Sequence, residues 1–561
     1  MIRKYSRWLA ALLLASNLAV AAPGVVLAGQ PNNGRNSSGA PTATPIKHVV
    51  VIFQENVSFD HYFATYPNAT NPGGEPAFYP RNGFLFSTPS VNGLTPSLLN
   101  NNPNSANPFR LDRSQASTCD QNHNYGAEQS AFDMGLMDNF PETVGVSESA
   151  FCDVSFSYGH PGGDLVMGYF DGNTVTALWN YAQVFAMSDN SYGTTFGPST
   201  PGVLNLVAGN TYPATLSGAT SSPKIVNTVG QTGTIDGDLD PTGDMCSSTT
   251  TIQMGGQSIA DLLNARGISW GSFMGGFDLT ATNANGTSGC KRSSPATPAN
   301  NGPTADYIPH HAFFQYWAST LNATHARPNV GPALYGTSAD TASKHEYDLH
   351  DFFDALKAGN LAAVSFIKAP AYADGHAGYS DPLLEQGFLV STINAIQQSP
   401  FWDSTAIIIS YDDSDGWYDH QIGPILNSSA VTSSNQSQNG DNFNGVGKCG
   451  NGTPLKDGNG NPIQGRCGYG PRLPLLVISP WAKANFVDSS VTDQSSILRF
   501  IEDNWNLGRI GGGSYDVLAG SLNNMFNFGK PEFRRKLILD PNTGEPVYDD
   551  FDHDARSMDI W

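Results

Sequence analysis

His48-Val49-Val50-Val51-Ile52-Phe53-Gln54-Glu55-Asn56-Val57-Ser58-Phe59-Asp60-His61 is an apolar run that breaks abruptly into adjacent carboxylate, amide, hydroxyl and imidazole groups. From His48 to Phe53 only the histidine is polar and there is no alternation. That pattern predicts a strand covered on both faces in a parallel sheet. In open α/β sheets, ligands bind outside the carboxyl ends of the strands, which is where Glu55 and Asn56 fall. A strand running into an inert polar turn would carry the same pattern, so the segment speaks to the fold before it speaks to function.

A second segment repeats the logic. Thr405-Ala-Ile-Ile-Ile-Ser-Tyr411 reads as another buried strand, followed by Asp412-Asp413-Ser414-Asp415-Gly416-Trp417-Tyr418-Asp419-His420. If the two strands are parallel neighbours, Glu55, Asn56, Asp412 and Asp413 converge on one rim of one sheet. Crowded carboxylates repel one another, and a bound cation reconciles them. The donors are hard oxygens, which points to one divalent ion: magnesium, calcium, manganese or ferrous iron.

Around these two strands lie further α/β units. Residues 257–265 read as a helix ended at Gly267, and 268–273 as a strand. Residues 361–367 read as a strand, 383–398 as a helix stopped by Pro400, and 473–479 as a strand. Residues 493–506 close as an amphipathic helix with Ile497, Phe500, Ile501 and Trp505 on one face. Strands alternating with helices predict an α/β fold with a mostly parallel central sheet, covered by helices on both faces. Two stretches rich in Asn, Pro and Gly, 67–110 and 427–470, read as long surface insertions, the second flanking the site.

The first 28 of the 561 residues have the three-part form of a secretory signal: Arg3, Lys4 and Arg7, an apolar core from Trp8 to Val20, then small residues, with cleavage after Ala21 or Ala28. Residues 29–45 read as a flexible linker and 46–561 as a single catalytic domain with cap-like insertions and a short C-terminal tail. The expected location is secreted or periplasmic, with no transmembrane anchor once the signal is cleaved. Six cysteines form an even set open to about fifteen pairings, of which the sequential one, Cys119–Cys152, Cys246–Cys290 and Cys449–Cys467, is favoured because each pair brackets a Gly- or Asn-rich region. A net charge of −21 excludes nucleic acid, which needs a basic footprint. The oligomeric state stays open.

The segments at 54–63 (QEN-x-SFDHYF), 411–420 (YDD-x-x-GWYDH) and 472–505 (RLPLLVISPWAK, then SSILRFIEDNW) resemble the phosphoesterase family of bacterial acid phosphatases and phospholipases C. The resemblance runs from residue 46 to about 508. It implies an alkaline-phosphatase-like fold and a metal-bound Ser or Thr nucleophile. The family places that nucleophile in a Gly-Pro-Ser/Thr-x-Pro context after an SDN-like segment. Here Ser188-Asp-Asn190 precedes Phe196-Gly-Pro-Ser199-Thr-Pro201, which gives the role to Ser199. The resemblance further implies Glu55, Asn56, Asp412 and Asp413 as metal ligands together with Ser199, and His123, His311 and His376 as groups that bind the phosphate. His311 is chosen over His310 as the residue nearer the aromatic pair Phe313-Phe314. The chain departs from the family pattern at Val57, Gly202, Asp415 and Ala377, and none of these removes an implied ligand.

The resulting expectation is a secreted, metal-dependent acid phosphatase that hydrolyses phosphate monoesters through a phosphoserine intermediate. One alternative is a phospholipase C acting on phosphatidylcholine-type phosphodiesters. Many phospholipases of the family carry extra β domains after the core, and only about fifty residues follow Trp505 here, so the phosphatase is favoured. A secreted, calcium-stabilised binding protein is a second alternative; it would keep the carboxylates but need neither Ser199 nor the histidines.

Overall fold

In the computed structural model, His48–Gln54 forms strand β1, buried along its whole length. Its apolar side chains Val49 to Phe53 are all fully covered, and each contributes about 1.5–3 kcal/mol on burial. The structure describes residues 40–81, 87–145, 154–160, 163–297, 299, 302–529, 531 and 536–549. The expected signal, most of the expected linker and Cys152 lie outside the described residues.

Seven further strands join β1: β2 (Ala186–Ser188), β3 (Trp270–Met274), β4 (Glu346–Asp348), β5 (Val364–Lys368), β6 (Thr405–Tyr411), β7 (Leu475–Ile478) and β8 (Phe486–Asp488), in the order β4-β3-β5-β1-β6-β7-β2-β8. β1 lies parallel between β5 and β6, pairing Val49 with Val364 and His48 with Thr405. Only β7 runs against the rest, antiparallel to both β6 and β2. The expected mixed α/β fold with a mostly parallel sheet is the observed one.

The register decides where the chemistry goes. Gln54 pairs with Tyr411, so Glu55 and Asn56 leave the sheet at the level of Asp412 and Asp413. β5 ends one residue later than the sequence suggests, at Lys368 rather than Ile367. That brings a lysine to the same rim.

The helices follow their caps. Helix Ile259–Arg266 begins at a Ser258/Asp261 capping box and ends at Gly267, whose φ of +63° is left-handed and suits glycine. Asp381 accepts from the amides of Leu383 and Leu384 to start Pro382–Gln398. Asp493 caps Gln494–Trp505. A helix over Ser199–Ala208, absent from the sequence reading, packs against Gln494–Trp505. A second, five-stranded sheet over 214–254 was likewise not foreseen.

The insertions are ordered by local ties. Within 427–470, Cys449 and Cys467 form a disulfide, and Asp441 accepts from the hydroxyl of Tyr125 at 2.7 Å. Cys246 and Cys290 are also joined. No helix among the described residues is long and apolar enough to cross a membrane.

Candidate active site

Ser199 opens the helix Ser199–Ala208, and the turn before it explains its placement. Gly197 has a φ of +108°, a conformation open to glycine but costly for other residues. Its amide donates to Glu128 Oε2 at 2.9 Å, and the amide of Thr200 donates to Asp238 Oδ1 at 2.9 Å. The carbonyl of Cys467 accepts from Phe196 at 3.1 Å, so the 427–470 insertion braces the turn from behind. Gly202 explains one departure noted in the sequence: a Cβ there would lie 2.3 Å from the Asp412 carbonyl oxygen. The serine helix therefore rests directly on the backbone that carries Asp412.

Ser199 Oγ is 3.1 Å from Glu55 Oε2 and 3.2 Å from Asp413 Oδ2. A hydroxyl has one proton and can donate to only one of these carboxylates at a time. Asn56 adopts a left-handed backbone with a φ of +59°, and its amide donates to Asp412 Oδ1 at 3.0 Å. Its side-chain NH2 donates to Asp415 Oδ1 at 3.1 Å. Asn56 Oδ1 and Asp412 Oδ2 are buried and accept no hydrogen bond. Ser199 Oγ, Glu55 Oε2 and Asp413 Oδ2 meet, and Asn56 and Asp412 each keep a buried oxygen without a donor, hard oxygens that fit a hard divalent cation.

The three histidines stand around this set in different ways. His123 Nδ1 lies 2.9 Å from the Gln121 carbonyl and 3.2 Å from Asp415 Oδ1. His311 Nδ1 is 3.2 Å from Glu55 Oε1, whereas His310 turns to Asp240 at 3.5 Å; of the two neighbours, His311 is the one that reaches Glu55. His376 Nδ1 lies 2.5 Å from the Ala377 carbonyl, and its ring stands 6.0 Å from that of His123. Ligand atoms of Asp120, His123, His376 and Asp415 all lie within 4.8 Å of one another.

Burial first, then Asp412, pushes the Glu55 carboxyl well above its usual range, against the opposing charge of Lys368. Asp413 is raised by burial and then by Asp412. Burial disfavours the charged form of His123, but Asp413 and Asp415 outweigh it and raise its pKa well above normal. His311 is driven well down by burial, then by the neighbouring His310 and Lys368 side chains. His376 is lowered, mainly by burial.

Four participants escaped the sequence reading as site members. Lys368 Nζ pairs with Glu55 Oε1 and stands 4.0 Å from Asp412 Oδ2. Asp374 Oδ2 is 4.0 Å from His311 Nδ1, and its carbonyl accepts from the Glu55 amide at 3.1 Å. Asp415, read only as a departure, ties Asn56 to His123. Glu128 holds Gly197 and, at 2.7 Å, Ser414 Oγ. The register of β5 beside β1 could have found Lys368; no local pattern singles out Glu128. Val57, another departure, is buried and its amide donates to the Asp413 carbonyl at 2.9 Å.

The class is that of α/β proteins carrying a buried serine, carboxylate and imidazole centre at the carboxyl edge of a mostly parallel sheet. Within it, the chain belongs to the phosphoesterase family, whose model matches residues 46–508. It is 24% identical over 516 residues to a non-hemolytic phospholipase C of Burkholderia pseudomallei, covering 88% of this chain and 60% of that protein. It is 25% identical to a non-hemolytic phospholipase C of Pseudomonas aeruginosa over 87% of this chain and 58% of that protein. It is 22% identical to phospholipase C A of Mycobacterium tuberculosis, over 90% and 81%. The chain thus spans about 60% of the length of the first two relatives. Solved structures resemble it loosely. Murine ectonucleotide pyrophosphatase/phosphodiesterase 5 gives a TM-score of 0.30 at 10% identity, over 63% of this chain and 95% of that one. An alkaline phosphatase superfamily protein from Vibrio parahaemolyticus gives 0.26 at 12%, over 80% and 79%.

Proposed function

We propose that the protein hydrolyses phosphate esters with Ser199 as nucleophile, assisted by one divalent cation held by Glu55, Asn56, Asp412, Asp413 and Ser199. The observation that carries this reading is the position of Ser199 Oγ, at 3.1 Å from Glu55 and 3.2 Å from Asp413. Two buried carboxylates against one hydroxyl form a place for a cation, not a hydrogen-bonded turn. A bound divalent ion supplies Lewis acidity, favouring the alkoxide form of a serine and offsetting charge on a phosphoryl oxygen.

The chain's own residues do the rest. Ser199 attacks phosphorus in line and displaces the leaving group, forming a phosphoserine that water then hydrolyses. His123, His311 and His376 donate to the non-bridging oxygens as imidazolium groups at acid pH, His311 and His376 through Nε2, since their Nδ1 atoms already face Glu55 and the Ala377 carbonyl. The Ser199–Ala208 helix, seated on Asp412 through Gly202, fixes the line of attack.

The names of the relatives make a phospholipid phosphodiester the first substrate class to try, with the protein then acting as a secreted phospholipase C. His123, 3.2 Å from Asp415 Oδ1, offers a further donor for the extra oxygen of a phosphate monoester, the second reading. The test compares wild type and Ser199→Ala on p-nitrophenylphosphorylcholine and p-nitrophenyl phosphate, with and without chelator. The expected result is loss of turnover in the variant and in chelator. Undiminished hydrolysis by Ser199→Ala would sink the nucleophile; turnover of one substrate only chooses between the readings. No turnover of either, together with calcium-dependent melting, would revive a calcium-stabilised binding protein.

A further inference from the structure

Glu55, Asp374, Asp412, Asp413 and Asp415 form a knot of carboxylates that are each at most 2% exposed. One divalent cation neutralises two of these charges, and His123 lies against Asp415 at 3.2 Å. Glu55 Oε1 and Asp374 Oδ2 face His311 instead of Ser199, at 3.2 and 4.0 Å from its Nδ1. Lys368 sits there. Its side chain is 1% exposed, its ammonium pairs with Glu55 Oε1 and stands 4.0 Å from Asp412 Oδ2. The same ammonium lies 5.2 Å from the centre of the Phe53 ring.

The two oxygens of Glu55 are thereby divided. Oε2 faces Ser199 at 3.1 Å, while Oε1 faces Lys368 and, at 3.2 Å, His311 Nδ1. A buried ammonium without such partners would be expensive, and these carboxylates without a cation equally so. β5 delivers the lysine as its last residue, one place beyond Ile367, which pairs with Ile52 of β1. The position is therefore set by sheet register, not by a mobile loop.

We propose that Lys368 is a built-in second cation of this cage: its ammonium fills the Glu55–Asp374 side, so that the cage takes a single divalent ion on the Ser199 side. Lys368 is a positioning residue that acts through Glu55. This rests on the reading of Glu55, Asn56, Asp412 and Asp413 as metal ligands. It further implies that removing the ammonium opens the cage to a second ion, because the carboxylates stay and their counter-charge goes.

The test loads metal-free protein with Mn(II) and reads both the bound equivalents and the electron paramagnetic resonance spectrum, which separates an isolated ion from a coupled pair. Wild type is expected to bind one equivalent with an isolated-ion spectrum. Lys368→Ala is expected to bind two equivalents and show a coupled pair, and Lys368→Arg to return to one. Lys368→Met keeps the apolar stem against Phe53 and repeats the measurement if the alanine variant does not fold. A coupled pair in wild type overturns the proposal, as does a single isolated ion in folded Lys368→Ala or Lys368→Met. A wild type that binds no Mn(II) at all instead sinks the metal reading on which the proposal rests.

Discussion

Arg472 donates to Asp60 at 3.0 Å through one nitrogen and to Asp419 at 3.1 Å through another, with its plane 4.3 Å from the Phe59 ring. The guanidinium is fully buried and also donates to the carbonyls of Asp189 and Asn92. His420 adds a contact to Asp60 at 2.6 Å. One side chain therefore ties the segment after β1, the segment after β6 and the segment after β2. Replacing Arg472 with Met leaves Asp60 and Asp419 buried without their counter-charge. The expected loss is about 3–5 kcal/mol of stability, read by urea denaturation. A loss below about 1 kcal/mol would show that the tie is dispensable.

Gly202→Ala tests the seat of the Ser199–Ala208 helix. The added Cβ would meet the Asp412 carbonyl at 2.3 Å, so either the helix or the Asp412 backbone has to move. Overpacking of this kind costs about 1–3 kcal/mol, and a shift near 1 Å at the reacting atom costs on the order of 100-fold in kcat. Gly458→Ala, where nothing lies within 4 Å of the new carbon, is the control and leaves both unchanged.

Glu385 should give a separable pH signature. It is buried beneath the site, accepting from Tyr411 at 2.6 Å and Tyr62 at 2.9 Å, and burial lifts its pKa from 4.5 to about 7. The folded state holds this proton more tightly than the unfolded chain. Its contribution to stability is therefore full below about pH 4.5 and lost as pH rises toward about 7. The span corresponds to about 3 kcal/mol. Melting temperature followed from pH 4.5 to 7.5 is expected to fall less steeply in Glu385→Gln than in wild type. Parallel curves would refute the assignment.

Removing divalent ions should destabilise the fold as well as stop turnover. A ligand present at about 100 times its dissociation constant adds about 2.7 kcal/mol. Chelator is expected to lower the melting temperature by several degrees, with recovery on adding magnesium, calcium, manganese or ferrous iron in turn identifying the ion. Asp412→Asn, which alters the buried oxygen that accepts no hydrogen bond, should blunt the recovery.

The legible part of the molecule was its central sheet. β1 and β6 could be read because unbroken apolar runs ended in polar residues, and their adjacency then brought Glu55, Asn56, Asp412 and Asp413 to one rim. The histidines and Ser199 could be named only through the family resemblance. The Ser199–Ala208 helix was hidden by its Ser-Thr-Pro-Gly start, which reads as a turn; it has no capping side chain of its own, and the amide of Thr200 is met by the distant Asp238. The five-stranded sheet over 214–254 was missed because Gly, Thr and Ser dilute its alternation. Lys368 was passed over as the polar end of an apolar strand; its importance lies in pairing across to residues far away in sequence.

That distance has a consequence for synthesis. β1 is the first strand of the central sheet to be made, yet its two neighbours are β5 and β6, beginning at Val364 and Thr405. At translation speeds of about 5–20 residues per second, it waits on the order of 15–60 s for its first partner. During that time Val49 to Phe53 is a bare, β-prone, uncharged stretch of the kind that pairs with foreign strands. The nascent chain therefore depends on protection of its forty-ninth to fifty-third residues until the sheet can close around them.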